Sequence, residues 1–256
     1  MDDVRPYLLN SPVALRKLLF WGARYQCPLC GAHLRTFRPF GGRSQAFASL
    51  QVVGGGYRRN ARCPICRCLD RERLVYLSLP RITDVFEKHT RLLHVAPERQ
   101  LSAKLKNQRT IDYLTADLHS TTVMMNMDIS TIQFPNDHFD GILCNHVLEH
   151  VVDDRMAMAE LYRVLRPNGW AILQVPISMA LDRTYEDFSI TTPAAREAAF
   201  GQHDHVRVYA RDYKDRLENV GFKVTVFHWT TRVHDFGGSE NRFGLNEREA
   251  VYLATK

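Results

Sequence analysis

Two hydrophobic patterns divide the chain. From about residue 90 onward, short apolar runs alternate with stretches whose apolar positions recur at helical spacing. Arg91-Leu-Leu-His-Val-Ala96 predicts a short buried strand, and the next stretch places Leu101 and Leu105 one helical turn apart. Thr110-Ile-Asp-Tyr-Leu-Thr115 predicts a second strand closing at Ala116-Asp117, Asp128-Ile129 closes a short third segment, and Phe139-Asp-Gly-Ile-Leu-Cys-Asn145 predicts a fourth. Over 147–165 the residues Leu148, Val151, Val152, Met158, Leu161, Tyr162 and Leu165 keep helical spacing. Pro167-Asn168-Gly169 stops that helix before a fifth strand over 170–175. A helix over 210–219 and β-rich runs over 222–229 and 250–254 complete the series. Strands alternating with helices predict an α/β fold, a doubly wound and mostly parallel sheet. Before residue 80 the pattern thins. Ser11-Pro12 opens a helix reaching Phe20, with Ser as its cap and Pro in its first position, and a second helix over 70–79 ends at Pro80. Between them Gly41-Gly42 and Gly54-Gly55-Gly56 mark turns.

Composition alone adds little to this picture. The 256 residues, 45% hydrophobic and 24% charged, suit one α/β domain with a small appendage and exclude a disordered, collagen-like or coiled-coil chain. No run approaches the roughly 18 apolar residues of a membrane span. The opening, with Asp2 and Asp3, lacks a secretory pattern and predicts a cytoplasmic protein. Charge is more informative when divided. The net +6 is +9 over residues 1–80 and −3 over 81–256. A localised positive field suits an anionic partner such as nucleic acid, a phosphorylated glycan or a membrane surface, although arginines also simply solvate a small domain.

The cysteines concentrate in the same basic segment. Cys27-Pro-Leu-Cys30 and Cys63-Pro-Ile-Cys66 are two knuckles separated by 32 residues, each able to present two thiolates to one tetrahedral Zn²⁺. The gap exceeds the usual spacing of about 15–20 residues, so the ribbon needs an inserted hairpin or loop turning at the glycines. Cys27, Cys30, Cys63 and Cys66 are the expected ligands, with Cys68 a rival to Cys66 and His33 a weaker competitor. A closed set of four ligands makes the zinc structural. The chain therefore divides into an N-terminal helix and zinc-ribbon-like module over 1–80 and an α/β domain over 81–256.

In such sheets ligands bind beyond the carboxyl ends of the strands. Those ends read His94-Val-Ala96-Pro97-Glu98, Asp117, Asp128 and Asn145-His146. Successive carboxylates suit a ribose diol and an exocyclic amine, and no phosphate-binding Gly-x-x-x-x-Gly-Lys-Ser/Thr loop is present. The run from Asp128 to Pro176, with Phe139-Asp140-Gly-Ile, His146-Val-Leu-Glu-His150, Glu160-Leu-Tyr-Arg-Val-Leu-Arg-Pro-Asn-Gly169 and Leu173-Gln-Val-Pro176, resembles a class I S-adenosylmethionine-dependent methyltransferase of the type 11 kind. The resemblance covers roughly residues 90–256 and is most specific over 134–176. It implies a Rossmann-like, seven-stranded sheet whose last strand inserts antiparallel. It also implies S-adenosylmethionine as cofactor, with Asp117 and Leu118 at the ribose, Asp128 and Ile129 at the adenine, and Asn145-His146 near the sulfonium.

One departure stands out. The family carries an acidic residue and a Gly-rich loop after its first strand, whereas here His94 takes the acidic position, Ala96 replaces the first glycine, and no glycine follows. This is similar to a subset with a cysteine-rich N-terminus and a His-x-Ala-Pro-Glu loop. In that reading His94, Ala96, Pro97 and Glu98 meet the methionine end, Glu98 at its amino group. Loss of cofactor binding, leaving a non-catalytic cofactor-sensing or scaffold protein, is the competing consequence.

For the acceptor side, the candidates are His146, His205 and Tyr185. His146-Val-Leu-Glu149-His150 fits the inverted zinc-peptidase signature, but that chemistry needs both histidines in mid-helix and His146 stands at a strand end. The segment from Asp182 to Tyr209 holds Tyr185, Glu186, His203-Asp204-His205 and Arg207. In it His205 suits proton removal from an acceptor and Arg207 a carboxylate or phosphate clamp, while His203-Asp204-His205 alternatively binds a second metal or holds the loop by hydrogen bonds. Two acceptor classes follow: a small molecule or glycan attacked in line at the methyl group, or an RNA base, as in ribosomal RNA guanine methyltransferases with a zinc module. Against RNA, the sequence has no Asn-Pro-Pro-Tyr-type tetrapeptide at the fourth strand end and no evident aromatic stacking platform.

Overall fold

The computed structural model describes residues 11–256, so the reading placed on Asp2 and Asp3 lies outside the described residues. Helix α1 (Val13–Phe20) begins after Pro12, which takes the cap position itself at ψ 144°, and no side-chain cap bond forms. The cysteine-rich part follows with β1 (Tyr25–Gln26), β2 (His33–Leu34), β3 (Arg38–Phe40), α2 (Gln45–Ser49), β4 (Val52–Val53), β5 (Arg58–Arg62) and α3 (Asp70–Ile82). Strand β1 pairs antiparallel with β2, and β3 with β5. A small core of Phe20, Tyr25, Leu34 and Phe37 closes around Cys27, Cys63 and Cys68. The glycine turns lie at the two ends of the insertion between β3 and β5. Gly41 has φ 97°, and a Cβ there would fall on the Gly56 carbonyl oxygen, so only glycine fits.

Helix α3 runs past Pro80 for another two residues. A proline in a last turn removes one hydrogen bond but does not stop the chain, and Thr83 closes the helix by donating its N–H and hydroxyl to Leu79 O. Its Leu74, Val75, Leu77 and Leu79 pack with Leu92, Leu101, Trp229 and Phe236. A helix that starts at the cysteine cluster thus finishes in the core of the larger sheet.

The larger sheet contains β6 (Thr90–Val95), β7 (Ile111–Asp117), β8 (Met125–Asn126), β9 (Phe139–Asn145) and β10 (Leu165–Gln174). Two-residue strands β11 (Ile177–Ser178), β12 (Tyr185–Glu186) and β13 (Arg207–Val208) follow outside it, and β14 (Lys223–Phe227) and β15 (Val251–Thr255) complete it. Its order is β14-β15-β10-β9-β6-β7-β8, seven strands, with β15 antiparallel to both β10 and β14. This is the Rossmann-like methyltransferase topology expected above. Alternate residues feed two cores: Leu93, Val95, Ile142, Cys144 and Leu173 on one face, Leu92, Leu143, Trp170 and Ile172 on the other. Burial on both faces explains why these strands read as unbroken apolar runs. Helices α4 (Arg99–Leu105), α5 (Asp154–Val164), α6 (Pro193–Phe200) and α7 (Tyr213–Glu218) complete the layers, and a 3₁₀ segment, Trp229–Phe236, closes over the second core. Among the described residues no helix is long and apolar enough to cross a membrane.

The helix expected over 147–165 is two pieces. A single 3₁₀ turn, Leu148–His150, is followed by extended chain, and α5 restarts where Asp153 accepts the Met156 N–H at 3.0 Å. The Arg207 guanidinium takes the Val151 and Val152 carbonyls that would continue the helix and shares the Leu148 carbonyl with the Val151 N–H that closes the turn. The Pro-Asn-Gly run is an irregularity inside β10 rather than a gap before it, with Asn168 at φ 63°.

Candidate functional site

The carboxyl ends of β6, β7 and β9 open onto one cleft of about 700 Å³. Its lining includes Ala96, Asp117, Leu118, Asp128, Ile129 and His146. Ala96 holds φ 46°, the left-handed conformation that favours glycine, while its N–H donates to Ala116 O at 2.8 Å. Asp117 Oδ1 accepts the N–H groups of His119 and Ser120 at 2.8 and 2.7 Å, and Asp128 Oδ1 accepts that of Ser130 at 2.8 Å. These turns fix the two carboxylates at the rim. Met127, Leu118 and Ile129 supply an apolar wall between them. Carboxylates for hydroxyls and an amine, beside an apolar wall for a flat ring, fit the nucleoside of S-adenosylmethionine.

Four residues expected at that ligand do not line the cleft: His94, Pro97, Glu98 and Asn145. His94 is fully buried, its Nδ1 2.7 Å from the Tyr113 hydroxyl and its Nε2 2.8 Å from Glu98 Oε2. Burial alone would raise the Glu98 carboxyl, but the hydrogen bond and charge of His94 outweigh it and hold it below its ordinary value. The pair therefore braces the loop from behind.

After β9 the chain turns sharply. His146 has φ 57°, and its N–H donates to Gln174 O at 2.7 Å. Neither ring nitrogen of His146 has a hydrogen-bond partner among the described residues, and Nδ1 lies 3.4 Å from Glu149 Oε1. Burial first, then the charges of Arg71 and Arg58, push His146 well below its ordinary pKa. Burial raises Glu149 to about 8, and burial with the neighbouring His150 lowers His205 to about 4. His150 is lowered as well, mainly by burial, with Asp204 Oδ2 3.2 Å from its Nδ1 working against the shift.

These side chains face a second cavity of about 330 Å³. One wall is His146, Glu149, His150 and His205; the other comes from the cysteine-rich part, with Ser44, Gly54, Gly55, Gly56 and Arg71. His146 and His150 border both cavities. The insertion is held there because β4 pairs with β11, Val53 opposite Ile177, and the Ser178 hydroxyl donates to Leu50 O at 2.7 Å. Sequence reasoning missed Arg71 and Glu249. Arg71 Nε and both Glu249 carboxylate oxygens are buried without a hydrogen-bond partner, and a Cβ on Gly54 would stand 3.5 Å from Glu249 Oε1. Nothing in their local sequence distinguishes these residues from a solvated helix face and a loop acid.

Two expectations for the acceptor segment are corrected. Arg207 is 1% exposed and holds Leu148 O, Val151 O, Val152 O and Glu186 Oε2, leaving no free edge for an acceptor. The structure does not bring Tyr185 to either cavity. It lies in a separate shallow cleft with Arg183 and Ala199, its ring 5.4 Å from Phe200. Glu186 is likewise committed to Arg207 and Arg216. The inverted peptidase arrangement is absent from this segment, since His146 precedes the turn that carries Glu149 and His150.

The sulfur atoms of Cys27, Cys30, Cys63 and Cys66 lie within 4.8 Å of one another, Cys27 to Cys66 at 3.7 Å and Cys30 to Cys63 at 3.8 Å. Tetrahedral Zn–S bonds of about 2.3 Å give sulfur separations of about 3.8 Å, whereas a disulfide needs about 2.05 Å. The cluster thus fits a metal. Cys68, buried like Cys27 and Cys63, is 3.5 Å from Cys27 and receives Arg73 Nη1 at 4.0 Å, while His33 is exposed on β2. Several of the arginines around it are used internally. Arg58 forks onto Asp70, Arg16 donates to Pro64 O, and Arg43, Arg62 and Arg73 lie over the rings of Tyr57, Phe40 and Phe37.

Residues 85–173, which carry β6 to β9 and much of β10 and so most of the cleft's lining, match the model of a family described as a methyltransferase domain. Over 109 residues the chain is 29% identical to the ubiquinone/menaquinone biosynthesis C-methyltransferase UbiE of Marinomonas sp. strain MWYL1. The match covers 38% of this chain and 43% of that relative, less than half of either. Among solved structures, the [4+2]-cyclase SpnF shares the fold at TM-score 0.50 and 17% identity, over 72% of this chain and 81% of its own. A SAM-dependent methyltransferase from Archaeoglobus fulgidus aligns at TM-score 0.46 and 15% identity, over 72% and 94%.

Proposed function

We propose that the protein transfers the methyl group of S-adenosylmethionine to a small-molecule acceptor bound in the 330 Å³ cavity beside the cofactor cleft. The observation that carries this reading is the position of His146 and His150, which border the cleft and the cavity together. The cofactor, when bound, supplies an electrophilic methyl group on a positive sulfur. Asp117 holds the ribose hydroxyls, Asp128 the adenine amine, and the Ala96 turn approaches the methionine end. His146, neutral and with unpartnered nitrogens, takes the acceptor's proton as its nucleophilic atom attacks, and its lack of charge spares the sulfonium a nearby cation. Burial of the cavity walls excludes water and fixes the attack geometry.

The name of the UbiE relative supports a small acceptor, and the cavity size suits one. Several arginines of the module are stacked or bonded within it, and none of the comparisons points to an RNA acceptor. Cys27, Cys30, Cys63 and Cys66 hold one structural zinc ion in this proposal, and the module over 1–80 is the unit that supplies the outer wall. Calorimetry with S-adenosylmethionine tests the central claim. Asp117→Ala is expected to weaken binding by about ten- to a hundredfold, the value of one or two hydrogen bonds to a charged group. Binding by the wild type that this substitution leaves unchanged would refute the assignment.

A further inference from the structure

The polar wall of the acceptor cavity contains more than a base. Glu149, His150 and His205 each bring a ligand atom within 4.8 Å of the other two. Glu149 is 2% and His205 4% exposed, and Glu149 Oε2 is buried with no hydrogen-bond partner. Burying a carboxylate oxygen unpaired is costly unless a cation meets it. The two histidines are set edge to face with ring centroids 4.8 Å apart, and Phe47 stands 5.9 Å behind the His205 ring. Asp204 Oδ2 lies 3.2 Å from His150 Nδ1, which leaves Nε2 for a ligand; carboxylates orient metal-binding imidazoles in this way. The loop is tied to the turn, since the Val206 N–H donates to Glu149 O at 3.0 Å.

The geometry points to a second metal site, separate from the cysteine cluster, in which Glu149, His150 and His205 hold one divalent first-row transition-metal ion. Two imidazoles and one carboxylate suit iron, zinc, cobalt or nickel rather than magnesium or calcium, and three protein ligands leave positions open toward the cavity. This inference rests on the methyl-transfer reading for its role. An acceptor hydroxyl occupying an open position gives up its proton more readily, to His146 or to water. Its oxygen then forms the new bond to the methyl carbon while the carbon–sulfur bond breaks and its electron pair remains on sulfur.

The probe is Co²⁺, titrated into full-length protein whose cysteine cluster is already filled with Zn²⁺. The expected result is one further equivalent per chain with weak visible bands and no intense thiolate-to-cobalt absorption. His205→Ala and Glu149→Gln should lose that equivalent, and Asp204→Asn, at an exposed position, should weaken it by about tenfold. Zinc content and circular dichroism report whether each variant is folded. No second equivalent on the wild type overturns the proposal whatever the variants do, and so does a second equivalent unchanged in folded His205→Ala and Glu149→Gln. S-adenosylmethionine calorimetry on the same samples separates the two claims. Cofactor binding without cobalt uptake removes only the metal site, whereas cobalt uptake without cofactor binding removes the methyltransferase reading.

Discussion

Replacing Arg207 by methionine keeps the length of the side chain and removes its fork. In the folded chain that guanidinium donates to Leu148 O at 3.0 Å, Val152 O at 2.7 Å, Val151 O and Glu186 Oε2 at 3.0 Å, with Asp154 at 3.7 Å. Hydrogen bonds to a charged group contribute about 1.5–3 kcal/mol each, but they share one donor and do not add. Arg216 still covers Asp154 and part of Glu186, so the lasting loss is the three carbonyls of the turn carrying Glu149 and His150. Removing one partner of a buried charged network costs about 3–5 kcal/mol, and Arg207→Met is expected in that range. Arg207→Lys, a point charge that cannot fork, should cost roughly half as much. Urea denaturation measures both, and the melting temperature should fall by roughly 10 °C for methionine, at about 2–4 °C per kcal/mol. An acceptor clamp would behave differently: Arg207→Lys would raise the KM for acceptor and leave the unfolding midpoint in place. That outcome would sink the structural reading.

Three further results are expected. Glu249, 4% exposed with unpaired oxygens, is raised by burial and by Asp70 from 4.5 to about 7. Its contribution is therefore full below pH 4.5 and lost as pH rises through 7, a penalty of up to about 3 kcal/mol in alkaline buffer. Glu249→Gln should raise stability at pH 8.5 and not at pH 4, as read by urea midpoints; equal shifts at both would refute the cause. Ala96→Gly should stabilise by about 0.5–1 kcal/mol, because relief of the left-handed strain exceeds the added chain entropy, while Ala96→Val should destabilise by more than about 1 kcal/mol. Cys30→Ser with Cys66→Ser, which removes two ligands of the proposed zinc and leaves Glu149, His150 and His205 intact, should abolish methyl transfer while S-adenosylmethionine still binds, since residues 95–153 and Asp204 line the cleft and the module lines only the cavity. Cofactor affinity lost together with the zinc would contradict this division.

The sheet was legible because its strands are buried on both faces. Phe139–Asn145 forms over the stretch the pattern indicates, and β6 and β7 begin or end within one or two residues of it. The failures have a common cause. Apolar spacing over 147–165 is compatible with one helix, but Arg207, far along the chain, competes for the carbonyls that would continue it. Pro80 read as a stop because local rules weigh the missing donor, whereas packing of Leu77 and Leu79 against the second core outweighs one bond in a last turn. Helix α6 and the Trp229–Phe236 segment are short, eight residues each, and the second is interrupted by the non-helical Arg232, so neither forms the long periodic run by which a helix is recognised.

The site divides along the same line. That Asp117, Asp128 and His146 line one cleft follows from the strand order, Asp117 closing β7, Asp128 standing two residues beyond β8 and His146 just after β9. The role of His94 was not visible, because it depends on Tyr113 in the next strand and Glu98 in the next helix, neither of which a loop motif encodes. The 330 Å³ cavity was not visible in the sequence. One wall supplies buried polar atoms with unmade bonds, and the other combines glycine main chain with Phe47, Arg58 and Arg71 from separate parts of the module. Gly54 and Gly56 hold positive φ, 83° and 64°, which glycine favours, and a Cβ on Gly55 or Gly56 would press on the Phe47 ring at 3.2 and 3.0 Å. The charge excess of the first 80 residues pointed toward a polyanion, and part of it is used internally: Arg24, Arg38, Arg43, Arg62 and Arg73 lie over rings of the same segment, while Arg16 and Arg58 are hydrogen-bonded within it. What the module brings to the α/β domain is a wall of glycine main chain together with Arg58 and Arg71, whose charges reach His146, and in the proposed reading acceptor selectivity is built where that wall meets Glu149, His150 and His205.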